Sequence, residues 1–472
     1  MKSLLTTIIP AKTIQSAQQQ IANVENQTDL LELRLDYCEH PSLSVLQQMV
    51  AHTQRPYILT LRNKAQGGLF RGDEYTRLQL IKELLKANPH YIDIEIDVAN
   101  EFIAEIHRLA PRTKIIRSFH DFNETPADLV AVLEQMRYPA VSVYKIITQA
   151  NSSLDSLRML NFVQQQASNH NIVGHCMGAD GFFSRLVGSV VGNMFIYAAI
   201  DNETQVVTHQ ATLTVLRETY YLHQKNRDTK LFALLGDPIT FSSGHIFHNK
   251  RFIENHCNAL YVKIRLQASE LATFFAQSKT LPFTGFSVTM PLKKKVLPYV
   301  KNLSGLTAVN TLAVSGGTVT AINTDGIGAL AAIAEVTTVR HKKVLVLGAG
   351  GAAIAIVQTL QQHGATVTIA NRTVANAEKI ARKFPCKVID FSLPTKYYDL
   401  VINTLPITAY AQSEFITWVK NVLQSQPTVM DANYNRDENL LLDLCQEFNC
   451  TIISGEKMFV KQAIAQFDYW CR

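Results

Sequence analysis

Residues 342–373 read KKVLVLGAGGAAIAIVQTLQQHGATVTIANRT, and no other stretch restricts the fold of this chain as strongly. The apolar run Val344, Leu345, Val346 and Leu347 has the length and branching of a buried strand. A loop of Gly348, Ala349, Gly350, Gly351, Ala352 and Ala353 follows, in which Gly348, Gly350 and Ala353 stand at G-x-G-x-x-A spacing. A helical stretch carrying Ala355, Val357 and Leu360 comes next, then Gly364, then a second strand over 366–370. Strand, glycine turn, helix and strand within about 30 residues make a context in which such a glycine pattern specifies a dinucleotide-binding unit. Gly348 permits the tight turn, Gly350 lets the backbone approach a pyrophosphate, and the small Ala353 lets helix and strand pack closely. The helix N-terminus offers its free N–H groups to the phosphates.

The end of the second strand selects the cofactor. A unit that prefers NAD places Asp or Glu there for the ribose hydroxyl, whereas this chain has Asn371, Arg372 and Thr373. An arginine between two small polar residues suits a 2′-phosphate, so NADP is expected. The plainer alternative for Arg372 is a solvated residue at a strand end, which leaves the missing carboxylate unexplained.

The length of 472 residues allows two to four domains. Hydrophobic residues make up 47% and charged residues 18%, the balance of a soluble globular protein. A formal charge of +6 without a basic run suits anionic small molecules and argues against nucleic acid as a partner. Seven scattered cysteines with no C-x-x-C pair point to a reducing cytoplasm, and against a zinc module or disulfide framework. The N-terminal apolar run is too short for a signal peptide, and no apolar stretch is long enough to span a membrane. Oligomeric state is not legible in the sequence.

From residue 1 to about 225 the chain alternates β-rich runs with helical patterns. Strands are expected at 4–9, 31–36, 57–62, 91–96, 114–120, 141–147, 171–177 and 195–199. Helices are expected between them, for example over 72–87 and over 127–136, the latter introduced by Thr125 and Pro126. Eight such units predict a (β/α)8 barrel, with an open doubly wound sheet as the rival. Charged residues fall at or near the C-terminal ends of several of these strands: Glu32 and Arg34, Arg62, His120 and Lys145. In a barrel those ends converge on the catalytic face. Burying several charges together costs too much unless they pair with one another or with a ligand.

Lys145 lies in VSVYKII, a strand otherwise apolar or small. A lysine stripped of solvent becomes a nucleophilic amine able to form an imine with a ketone. Taken alone it is more simply an ion-paired lysine. His120, in SFHDF one strand earlier, could serve as general acid and base, and taken alone it too reads as structural. With the arginines, the set points to a Schiff-base enzyme acting on a keto acid.

The motifs ELRLD at 32–36, TLRNKAQGG at 60–68, SFHDF at 118–122, the lysine strand at 141–147 and MGADGFFSR at 177–185 occur in the order found in type I 3-dehydroquinate dehydratases, which the first half resembles. The resemblance implies that Lys145 forms an imine with the C3 ketone of 3-dehydroquinate. His120 would then remove the C2 proton and later protonate the leaving hydroxyl. Glu32, Arg34, Arg62 and Arg185 would hold hydroxyls and carboxylate, with Arg185 the best bidentate carboxylate partner. Two departures stand out. Gln66 replaces the glutamate common before the Gly-Gly pair, and the closing loop, usually Ser-Ala-Pro-Gly-Gln, reads VVTHQ at 206–210 and keeps only Gln210.

Residues 223–230, HQKNRDTK, read as a linker. Beyond it, SSGHIFHN at 242–249, GFSVTMPLK at 285–293, AVNT at 308–311 and INTDG at 322–326 pair strands with polar turns, as suits a hydroxylated anionic ligand. A Lys293–Asp325 pair beside a nicotinamide could relay the proton that accompanies reduction of a ketone. The alternatives are a solvated lysine in the run KKK and a helix-capping aspartate. This half resembles shikimate dehydrogenase through SVTMPLK, AVNT, NTD at 323–325, DANYN at 431–435 and GEKMFVKQA at 455–463. The resemblance implies Lys293 and Asp325 as the catalytic pair. It implies Ser242, Thr289, Asn310, Tyr434 and Gln462 as shikimate contacts, and Gly455 near the nicotinamide. Gly244 stands where a second carboxylate-binding serine is usual, and Ser287 where asparagine is usual.

The expected organisation is a barrel over 1–225, a shikimate-binding α/β domain over 226–330 and a Rossmann NADP-binding domain over 331–472, its C-terminal helix region returning toward the substrate domain. The two resemblances name consecutive steps of the shikimate pathway to chorismate and the aromatic amino acids, and neither mechanism needs a metal. Alternatives are a single active half, a preference for quinate or NAD, and a non-catalytic sensor of pathway intermediates. Retention of Lys145, His120, Lys293 and Asp325 argues against the sensor.

Overall fold

The computed structural model describes residues 2–471 apart from 207–208, 303–304, 306, 393–396, 412 and 434–438. The chain divides into two compact units. One is Met1–Leu231 with Asn249–Ile264 and Ala272–Pro282, and the other is Phe232–His248 with Arg265–Leu271 and Phe283–Arg472. All seven cysteines are free thiols. Among the described residues no helix is long and apolar enough to cross a membrane.

All eight expected strands of the first half form: β1 (Leu4–Pro10), β2 (Leu30–Arg34), β3 (Tyr57–Thr60), β4 (Tyr91–Glu95), β5 (Lys114–Asp121), β6 (Val141–Gln149), β7 (Ile172–Met177) and β8 (Phe195–Ala198). They pair in parallel in the order β7-β6-β5-β4-β3-β2-β1-β8, which is a barrel and not the rival open sheet. Between β7 and β8 the join is made largely by one side chain. Asn193 Oδ1 accepts from Gly174 N at 2.8 Å, its Nδ2 donates to Gly174 O at 3.0 Å, and Met194 N donates to Ile172 O at 2.8 Å.

Successive side chains on a strand point to opposite faces, so residues two apart share the barrel interior. Its lower layer is apolar: Ile8, Leu30, Ile58, Tyr91, Ile116, Val143, Val173 and Phe195. Two residues further along β2, β4, β5, β6 and β7 stand Glu32, Asp93, Ser118, Lys145 and His175. The interior therefore changes from hydrocarbon to hydrogen-bonding groups toward the C-terminal strand ends.

Two local expectations are corrected. Thr125 does not open the helix after β5. Asp128 caps Leu129–Met136 by accepting from Ala131 N, while Thr125 Oγ1 bonds Thr148 Oγ1 and Gln149 O at 2.8 Å each. The polar run 223–230 is built into structure rather than extended: Lys225 is buried, and Thr229 Oγ1 donates to Asn258 Oδ1 at 2.6 Å.

In the second unit, strand Thr311–Ser315 pairs antiparallel with Phe283–Val288 on one side and with Thr318–Ile322 on the other, and Lys301–Asn302 lies parallel to Thr318–Ile322. The other sheet is wholly parallel. Its order is Lys387–Ile389, Thr366–Ala370, Lys343–Leu347, Leu400–Asn403, Thr428–Asp431, Thr451–Ile453. Numbered within that sheet the order is 3-2-1-4-5-6, the doubly wound arrangement whose switch point lies beside the first strand. Val344 and Val346 pack into one hydrophobic layer, and Leu345 and Leu347 into the other, so both faces are covered. The glycine loop leaves the first strand at that switch point.

Candidate active sites

The mouth of the barrel is a cavity lined by Glu32, Arg34, Arg62, Gln66, His120, Lys145, His175, Arg185, Tyr197 and Gln210, among others. Lys145 Nζ lies 2.8 Å from Asp93 Oδ2 and 3.3 Å from Glu32 Oε1, and 4.3 Å from the centroid of the Tyr197 ring. The residue is ion-paired and also faces the cavity. Asp93 was not singled out from the sequence, yet it is the hub of the site. It accepts from Lys145, from Arg62 Nη2 at 2.7 Å and from Ser118 Oγ at 2.5 Å. Burial opposes its ionisation, but the charges of Arg62 and Lys145, with His120, outweigh burial and hold the carboxyl well below its usual range.

Arg62 also places Nη1 2.8 Å from Nδ1 and 2.6 Å from Nε2 of His120. A guanidinium can only donate, so the imidazole must accept. Burial, with the charges of Arg62 and Lys145, keeps His120 well below its usual range, hence neutral at pH 7 and able to take a proton. Gln66 Oε1 accepts from His120 N at 3.2 Å, so the amide in place of the common glutamate holds the strand that carries the histidine.

The remaining cations are not equivalent. Arg34 is held by Asp36 through two bonds of 2.8 and 2.7 Å. Arg185, on helix Phe182–Val191, is buried without a carboxylate partner among the described residues, and burial brings its pKa down to about 10. An unpaired buried guanidinium facing a cavity is a site prepared for an anion. Gln210 lines the same cavity and ties the lid, accepting from Val206 N at Oε1, 3.1 Å, and from Gln205 Nε2 at its backbone oxygen, 2.9 Å. Within the lid, 207–208 lie outside the described residues.

In the second unit Lys293 Nζ lies 2.5 Å from Asp325 Oδ2. Asp325 is the first residue of helix Asp325–Ala334, and among the described residues its carboxylate oxygens are bonded by Lys293 and Asn310 rather than by that helix. Asn310 Nδ2 donates to Asp325 Oδ1 at 2.7 Å, and Asn310 Oδ1 in turn accepts from Thr324 N at 2.8 Å and Thr311 Oγ1 at 2.7 Å. Gln462, on helix Gly455–Trp470, places Oε1 3.2 Å from Thr324 Oγ1 and 3.4 Å from Asn310 Nδ2. Lys293 is partly buried while Lys294 and Lys295 are exposed, so the run KKK is not one solvated face. Ser287 turns toward the C-terminal helix and donates to Gln466 Oε1 at 2.9 Å. Ser242 Oγ accepts from Gly244 N at 3.2 Å, and Thr289 N donates to Leu235 O at 2.9 Å. Tyr434 lies outside the described residues.

The glycine loop fits a dinucleotide. Gly348 has φ +106°, and a Cβ there would stand 2.5 Å from Thr404 Oγ1. A Cβ on Gly350 would meet nothing within 4 Å, which is room for a phosphate. A Cβ on Gly351 would stand 3.1 Å from Lys293 Cδ, so the lysine borders the loop. Ala352 and Ala353 continue the first turn of helix Gly351–Gln362. At the end of the second strand Arg372 and Thr373 are exposed, and Asn371 Nδ2 bonds Thr373 O at 2.8 Å. Gly455 is buried where its missing side chain would strike Asn433 O at 2.2 Å.

Residues 5–227 match the family of type I 3-dehydroquinases. Residues 234–312 match the shikimate dehydrogenase substrate binding domain, and 330–446 the shikimate/quinate 5-dehydrogenase family. A shikimate biosynthesis protein AroDE of Chlamydia pneumoniae is 30% identical over 99% of this chain and 95% of its own length. The chain belongs to the bifunctional 3-dehydroquinate dehydratase/shikimate dehydrogenase family. The chloroplastic bifunctional enzyme of Arabidopsis thaliana is 29% identical over 93% of this chain and 77% of its own length. A shikimate dehydrogenase (NADP(+)) of Methanocaldococcus jannaschii is 33% identical over 52% of this chain and 92% of its own. This family member is thus a lyase followed by an oxidoreductase, acting in the shikimate pathway. Three polar groups of its dehydratase site were passed over in the sequence: His175 and Tyr197, which line the cavity, and Asp93, which is enclosed behind Lys145. Asp93 and Glu95 stand two apart in YIDIE, the spacing that marks Glu32 and Arg34 in ELRLD.

Proposed function

We propose that the barrel dehydrates 3-dehydroquinate through an imine on Lys145, and that the second half reduces 3-dehydroshikimate to shikimate with NADPH. On this reading the modules span 1–225, 226–330 and 331–472. The observation that carries the first half is the buried amine of Lys145 sharing one cavity with neutral His120 and the unpaired Arg185. Arg185 takes the substrate carboxylate, while Glu32, Arg34, Arg62 and Gln210 address its hydroxyls. Lys145 Nζ attacks the C3 carbonyl and water departs, and the protonated imine acidifies the C2–H bond. His120 takes that proton and returns it to the C1 hydroxyl as it leaves as water. Hydrolysis of the imine frees Lys145.

In the second half Lys293 and Asp325 border the glycine loop and move the proton at the substrate oxygen. Asn310, Thr289, Ser242, Tyr434 and Gln462 orient the ring. NADPH, when bound, supplies the hydride. Gly348 to Ala353 would hold its pyrophosphate, Asn371, Arg372 and Thr373 its 2′-phosphate, and Gly455 would border its nicotinamide.

Borohydride added to protein and 3-dehydroquinate is expected to fix one adduct, and peptide mapping is expected to place it on Lys145. Continued formation of dehydroshikimate with no adduct would refute the imine. Arg372→Ala is expected to raise the Michaelis constant for NADPH about tenfold or more, since a charge-assisted contact to phosphate is lost, with little change for NADH. Equal changes for both cofactors would sink the 2′-phosphate assignment.

A further inference from the structure

His175 is a second imidazole in the dehydratase cavity, and the mechanism above leaves it without a task. The ladders fix its position. His120 on β5 pairs with Ile147 on β6, and Ile147 pairs with His175 on β7. The three residues form a row of paired positions across adjacent strands. With neighbouring strands about 4.8 Å apart, the two histidine Cα atoms stand about 10 Å from each other. Lys145, two residues before Ile147, points to the same interior. The two histidines therefore stand on the strands either side of the one that carries the amine, and both line the cavity it faces.

His175 is 5% exposed and lines the cavity, and no hydrogen bond from its ring to protein is found among the described residues. Its contact with Tyr197 is between rings, 6.4 Å centre to centre. Its nitrogens are not among the fully enclosed polar atoms that lack a partner, so they open onto the cavity, where a bound molecule can meet them. Burial, with the charges of Arg185 and Lys145, holds the imidazole well below its usual range. A neutral ring carries one donor and one acceptor, both of use to a hydroxylated ring acid.

We propose that His175 hydrogen-bonds an oxygen of the bound substrate on the flank of Lys145 opposite His120, making it a substrate-contacting residue of the dehydratase. This rests on the imine reading, which fixes the ring on Lys145. The test compares His175→Gln, which keeps a neutral donor and acceptor, with His175→Met, which keeps only apolar volume. Both are assayed for dehydration, for borohydride trapping on Lys145 and for thermal unfolding. His175→Met is expected to lose about tenfold or more in kcat/KM for 3-dehydroquinate, mostly through KM, while His175→Gln stays within about threefold of the native value. Reduction of supplied dehydroshikimate is expected to be unchanged in both. A packing role predicts the reverse order, because a barrel interior tolerates Met better than an unsatisfied amide. That order, or two variants with native KM, or an equal loss in both, overturns the proposal. Absence of an adduct on Lys145 in the native protein would overturn the imine reading itself, a distinct result from a native-like His175→Met.

Discussion

Lys145→Ala is expected to abolish dehydration of 3-dehydroquinate, by a factor on the order of 10⁴ or more, while reduction of supplied dehydroshikimate stays within about twofold. Loss of the amine removes the proposed covalent step outright, and no other lysine lines the cavity among the described residues. The substitution also acts on stability. Glu32 and Asp93 lose a buried cation, and breaking such a pair costs about 3–5 kcal/mol. Asp93 keeps Arg62 and Ser118, and Glu32 keeps Thr60, which places the loss toward the lower end of that range. Lys145→Arg separates the two effects. Its positive charge still faces the carboxylates, but a guanidinium does not form the imine. It is expected to unfold at nearly the native temperature and to dehydrate as poorly as Lys145→Ala. Substantial dehydration by either variant would end the Schiff-base assignment.

The barrel was legible because parallel strands covered on both faces read as near-continuous apolar runs, and eight of them recur at even spacing. The switch-point glycine loop was legible because positive φ at Gly348, with Thr404 against it, excludes a side chain there. Lys145 and His120 could be picked out because each is ionisable and stands in an otherwise apolar strand. Asp93 escaped since its importance lies in register: only when β4 is set between β3 and β5 does its carboxylate meet Arg62, Ser118 and Lys145. His175 escaped for the same reason, VGHCM giving no sign that the ring faces inward beside Ile147. Thr125 misled because Thr-Pro resembles a helix start, whereas the hydroxyl is spent on the neighbouring strand and Asp128 supplies the cap. The polar letters of 223–230 gave no hint that Lys225 would be enclosed, since a long aliphatic stem can pack like a hydrophobe.

In the second half, Lys293→Ala and Asp325→Asn are each expected to lower the turnover of dehydroshikimate reduction by roughly 10³-fold, leaving dehydration intact. The two side chains are 2.5 Å apart, with 19% and 8% of their surfaces exposed, so they act as one unit at the rim of the site. Asp325 is fixed from behind: Asn310 holds Oδ1, and Thr324 and Thr311 hold Asn310. That scaffold survives removal of Lys293, so the carboxylate keeps its place while the ammonium proposed to act at the substrate oxygen is gone. Removal of Asp325's charge frees the lysine to leave its position and to lose its partner in the relay. Because each substitution disables the same proton transfer, the double variant is expected to be no more than a few times slower than either single one. Multiplication of the two losses, to a factor near 10⁶, would show that the residues act independently and would refute the relay. With dehydration measured on the same samples, a uniform fall in both activities would identify damaged folding, and a fall confined to reduction assigns the pair to the chemistry of the second half.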